Sequence, residues 1–108
     1  MSKKLRVEIK DKVEAESAGR EKYILKLFVT GALPNSTRAV INIKAICDKY
    51  LKGRHELEII DIYKQPSIAY SENIIAVPVL IKKFPLPEEI LIGDLSDIET
   101  VLRGLDLI

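Results

Sequence analysis

The chain has 108 residues, the size of one domain with one modest core, which excludes a two-domain enzyme. Seventeen Lys and Arg face sixteen Asp and Glu, and the net charge of +1 gives no global field to hold nucleic acid or an anionic membrane. The composition, 47% hydrophobic and 31% charged, suffices for a buried core, and the single Cys excludes an intramolecular disulfide or a multi-thiolate metal centre built from this chain alone.

Residues 1–22 hold seven basic and five acidic side chains with little sustained apolar periodicity. They lack the apolar run of about 7–15 residues that a secretory signal needs. The expectation is a mobile charged arm, with room for a short helix or strand, ahead of one domain over 23–108. No window reaches the roughly 18 apolar residues of a membrane span, and the expected location is the cytoplasm.

Tyr23 to Val29 is β-rich and apolar except for Lys26, as in a central strand covered on both faces. Gly31, Pro34 and Asn35 stop it, and Asn35 or Ser36 is suited to cap the next helix. From Thr37 to Lys52 the residues Ala39, Val40, Ile43, Ile46, Cys47, Tyr50 and Leu51 repeat near 3.6 and share one face. Gly53 fits just past its end. Leu57 to Tyr63 reads as a second strand, parallel to the first through the intervening helix. Gln65 and Pro66 are suited to start a short helix through Asn73, since proline fits a first helical position. Ile74 to Ile81 reads as a strand in which Pro78, without an N–H, must be absorbed by a bulge, an edge or a cis bond. Glu89 to Ile92 makes another short strand ending at Gly93-Asp94. Ser96 and Glu99 form a capping box for a last helix with Ile98, Val101, Leu102 and Leu105 on one face and Gly104 near its end.

Catalytic groups are scarce. His55 has no second His and no Cys to complete a metal site, and reads as an ordinary surface residue. Cys47 lies on the apolar stripe of its helix, where a small core residue is expected. Asp94, Asp97 and Glu99 are accounted for by capping and the helix dipole, which leaves Asp61 without a catalytic partner. The phosphate-binding, dinucleotide-binding and serine-nucleophile signatures are absent from the sequence. Lys26 to Pro34 resembles the first strand motif of an RNA-recognition module, but the aromatic partner strand is missing, since Ile74 to Ile81 carries no aromatic residue.

A βαβ unit followed by a proline-bearing apolar strand, a short strand and a helix resembles the thioredoxin fold, with Thr30 to Ser36 where the reactive Cys-x-x-Cys would stand. Within that superfamily, six ordered segments resemble the KaiB family of circadian clock proteins: Tyr23 to Val29, Gly31 to Ala39, Ile60 to Pro66, Ala76 to Leu80, Ile92 to Ser96 and Gly104 to Leu107. The resemblance implies a metamorphic, non-enzymatic regulator without cofactor or metal. Its partner would be KaiC, a hexameric RecA-like ATPase, with neither nucleic acid nor membrane involved. It also implies an α/β fold with a fixed βαβ first half and two options for the second. One is a ground state, roughly βαββααβ, that forms a dimer or tetramer; the other is a monomeric thioredoxin-like βαβαββα form that binds the ATPase. Tyr23, Gly104 and Asp106 match family positions that bias this equilibrium, while Asn35 and Arg38, at the start of the first helix, are the expected partner contacts. Glu88-Glu89 and Asn73 stand where clock members of the family carry basic residues. A stress-adaptation pathway is therefore kept beside the clock. Two alternatives stay open: a thioredoxin-like sensor domain of histidine-kinase signalling, and a thiol oxidoreductase using Cys47.

Overall fold

The computed structural model describes residues 22–31, 33–74 and 76–108; the arm expected over 1–22 lies, save for Lys22, outside them. Strand β1 (Tyr23–Val29) is followed by α1 (Pro34–Tyr50), β2 (His55–Asp61), α2 (Pro66–Ser71), β3 (Val79–Phe84), β4 (Glu89–Ile92) and α3 (Ile98–Gly104). The sheet order is β2-β1-β3-β4, parallel between β1 and β2 and antiparallel at the other two ladders. Of the two second halves left open by the sequence, this is the thioredoxin-like βαβαββα. No helix among the described residues is long and apolar enough to cross a membrane.

β1 is central, as its nearly unbroken apolar run requires. Its residues Leu25, Leu27 and Val29 join Ala39, Ile43, Ile46 and Cys47 of α1, Leu80 of β3 and Val101, Leu102 and Leu105 in one buried cluster beneath α1 and α3. Phe28 points to the opposite face and packs with Ile60, Val79 and Ile81 under Ile62, Ile68, Ile74 and Val77. No residue of α2 is buried, so this second face is covered thinly.

The element boundaries depart from the sequence reading in several places; among them, α2 stops at Ser71, short of Asn73, and β3 runs on past Ile81 to Phe84. α1 begins at Pro34 instead of Thr37 and has no side-chain cap, because proline presets the helical φ and lacks the N–H that a first turn leaves free. Asn35 and Ser36 are therefore inside the helix, and the Ser36 Oγ accepts from the Thr30 N–H at 3.1 Å. Helix α1 ends at Tyr50 with Leu51 as its C-cap, short of the expected Lys52, and Gly53 takes a φ of +78° two residues beyond that cap. β2 starts and stops two residues early: the Asp61 Oδ1 accepts the Tyr63 N–H at 2.9 Å, and the Asp61 carbonyl accepts the Lys64 and Gln65 N–H groups, turning the chain away from the ladder. β3 starts after Pro78, whose bond to Val77 is cis; Pro78 offers only its carbonyl, which accepts the Gly93 N–H at 3.0 Å. Ile74 and Val77 thus pack onto the sheet and do not extend it. The cap of α3 is Asp97, whose carboxylate accepts from the Thr100 N–H and hydroxyl; one residue nearer the helix than Ser96, it supplies the stronger acceptor.

Candidate partner-binding surface and the seat of the last helix

Beyond the last residue of β1, the loop from Thr30 turns into α1 at the point where a dithiol would sit in a redox-active relative of this fold. Gly31 takes a φ of +54°, and a Cβ there would lie 3.7 Å from the Tyr63 ring. Cys47 is 1% exposed. Burial, followed by the neighbouring Asp48 carboxylate, pushes its thiol up to about 11, so almost no thiolate exists near neutrality. His55 closes the turn after α1, its Nδ1 lying 2.8 Å from the Leu51 carbonyl. No group of three His, Cys, Asp or Glu side chains suited to a metal occurs among the described residues.

The structure brings Asn35 and Arg38 together. One turn apart on the exposed side of α1, they are joined by an Arg38 Nη2 to Asn35 Oδ1 hydrogen bond. Arg38 Nε also donates to Asp94 Oδ2 at 3.0 Å, and Asn42 Nδ2 donates to the Asp94 carbonyl at 2.8 Å. The Asp94 Oδ1 accepts the Ser96 N–H at 3.1 Å. Hydrogen bonds from Ser96, then from Arg38, hold the Asp94 carboxyl below its ordinary range. The result is a pre-oriented guanidinium, still 53% exposed, tied to the loop between β4 and α3. Asp94 and Asn42 are members of this cluster that the sequence reading missed; the local signal was an Asp two residues before a Ser, the spacing of an Asx turn.

Tyr23, Gly104 and Asp106 also converge, around the end of α3. The Tyr23 hydroxyl donates to the Leu105 carbonyl at 2.7 Å, with the Arg54 guanidinium 5.7 Å from its ring centre. Gly104 is the last residue of the helix, and a Cβ there would meet Leu91 Cδ2 of β4 at 2.6 Å; the glycine permits α3 to lie close on β4. Asp106 takes a φ of +60°, a conformation that Asp tolerates better than most residues. Its Oδ2 accepts from the Lys82 Nζ at 3.1 Å, and the Lys82 side chain is 0% exposed. Lys82, unsuspected from sequence, is thus a buried cation whose counter-ion comes from the residue two past the end of α3.

Tyr23→Phe keeps the ring and removes one hydrogen bond to a buried carbonyl, so stability should fall by about 1 kcal/mol. Hydrogen exchange should localise the loss: the Leu105 and Leu107 amides, bonded to the Val101 and Leu102 carbonyls, should exchange several-fold faster while those of β1 do not.

A family model for the KaiB domain matches residues 26–107. The circadian clock oscillator protein KaiB of Prochlorococcus marinus is 50% identical over 91 residues, covering 84% of each chain. That of Synechococcus elongatus is 48% identical over 89 residues, 82% of this chain and 87% of its own. Among solved structures, the N-terminal domain of Synechococcus elongatus SasA superposes with a TM-score of 0.64 at 25% identity, over 82% of this chain and 87% of that one. Chloroplastic thioredoxin z superposes with a TM-score of 0.63 over 89% of both chains at 16% identity, a likeness of fold alone.

Proposed function

Because the chain belongs to the KaiB family, we propose that it is a non-enzymatic regulator that docks on a KaiC-like hexameric RecA-type ATPase, in a circadian clock or a related stress-adaptation pathway in the cytoplasm. One observation carries the reading: in a KaiB-family chain, the second half stands in the thioredoxin-like order β3, β4, α3. The sequence resemblance associates that arrangement with partner binding. The docking face is the start of α1, where Asp94 aims the Arg38 guanidinium and Asn35 sits beside it.

A fold switch to an oligomeric ground state, dimer or tetramer, belongs to the same proposal. Leaving the observed arrangement means withdrawing α3 from its seat, which breaks the Tyr23–Leu105 hydrogen bond and the Lys82–Asp106 pair and frees Gly104 from Leu91. Tyr23, Gly104 and Asp106 then set the fraction of chain in the competent form, and apparent affinity scales with that fraction. A second reading, a thioredoxin-like sensor domain, draws on the likeness to the SasA domain; the higher identity to KaiB proteins favours the first.

The test is size-exclusion chromatography after a day at working temperature with a purified KaiC-type hexamer and ATP. Co-elution is the expected result, and separate elution counts against the proposal. Arg38→Glu reverses a charge on an exposed residue and should leave the fold intact by circular dichroism. It should weaken co-elution about tenfold or more, the loss of one well-placed charged contact.

A further inference from the structure

We propose that the segment from Pro66 to Ile74 is a hinged cover over the second face of the sheet, latched by the Glu72 carboxylate. This goes beyond partner binding and does not depend on it. The cover has little else to hold it. Helix α2 has six residues, none of them buried, and no side-chain cap; of the described residues in the cover, the half-buried Ile68 and Ile74 reach the apolar cluster of Phe28, Ile60, Val79 and Ile81 beneath.

Glu72 caps the C-terminal end of α2 and is the polar link from the cover to the sheet. Its Oε1 accepts from the Lys83 Nζ of β3 at 2.8 Å, and its Oε2 lies 3.7 Å from the Lys26 Nζ of β1. Lys83 in turn lies 3.4 Å from Glu88. The side chains of Glu72, Lys83 and Lys26 are 21%, 26% and 30% exposed, so water screens this network less than it would a pair on the open surface. The hydrogen bond from Lys83 holds the Glu72 carboxyl below its ordinary range. A backbone hinge lies beside the latch: Asn73 takes a φ of +58°, and its N–H donates to the Tyr70 carbonyl at 3.2 Å. Below the latch an apolar groove runs between Ile74 and the exposed Ile90 and Ile92 of β4. Release of Glu72 widens that groove and bares Phe28 and its neighbours.

Hydrogen–deuterium exchange on the full chain tests this. The Glu72, Asn73 and Ile74 amides, bonded to the Ile68, Tyr70 and Ala69 carbonyls, report the closed cover. In Glu72→Gln they should exchange about fivefold faster, with α3 unchanged, and Lys83→Met should do the same. In the native chain 0.5 M NaCl should raise the same rates toward those of Glu72→Gln while leaving that variant unmoved, which identifies the latch as ionic. Glu99→Gln, which breaks the exposed Arg103 pair on α3, should leave the cover alone. Unchanged rates over 66–74 in Glu72→Gln, a rise spread evenly over all elements, or insensitivity of the native chain to salt would each overturn the proposal.

Discussion

Leu80→Ala should lower the unfolding free energy by about 3 kcal/mol, within the range measured for a buried leucine cut back to alanine. Leu80, the second residue of β3, is wholly buried, opposite Leu27 of β1 on one side and Leu91 of β4 on the other. It faces the cluster shared by α1 and α3. Truncation removes its transfer free energy and leaves a void lined by elements from both halves of the chain, none of which can shift inward alone. A domain of this size holds about 5–15 kcal/mol in total, so the loss is a large share. Urea unfolding measures it as a lower midpoint with an unchanged slope. Ile41→Ala, at a residue 61% exposed on α1, is the control and should stay within about 0.5 kcal/mol of the native chain.

Asp106→Asn should destabilise the observed arrangement by about 2 kcal/mol, and Lys82→Met should restore most of it. The first change keeps a residue that tolerates the positive φ but leaves the buried Lys82 ammonium without its counter-ion. Removing one partner from a buried pair costs about 3–5 kcal/mol; the figure is lower here because the Asp106 side chain is 63% exposed. Methionine matches the lysine stem and needs no partner, so the double variant should come within about 1 kcal/mol of the native chain. A double-mutant cycle in urea decides it. Purely additive losses would show that the pair contributes nothing beyond its separate side chains.

These residues also mark the limit of what the sequence discloses. The bounds of β1 and β4 were legible because each is an apolar run closed by residues that cannot continue it. The stripe on α1 was legible from its 3.6-residue period. The start of β3 was not: Ile74 to Ile81 has the composition of a strand, yet one missing N–H at Pro78 moves the ladder to Val79 and turns Ile74 and Val77 into covering residues. The site was legible only in its local half. Asn35 and Arg38 share a helix turn, but the Arg38–Asp94 bond spans 56 positions and the Tyr23–Leu105 bond 82. Lys82 stands in a Lys-Lys pair that resembles a solvated stretch. Its burial follows from alternation along β3, which turns Lys82 toward α3 and Lys83 toward the other face, where it meets Glu72.

Sheet order carries a consequence of its own. With strands in the order β2-β1-β3-β4, the ladder between β1 and β3 is the one among the described strands that joins the βαβ unit to the later strands, and it slips register between Ile24 and Leu25. Cooperative folding units divide where few bonds cross, and here the buried cluster shared by α1, β3 and α3 backs that ladder, so the two halves hold or open as one unit.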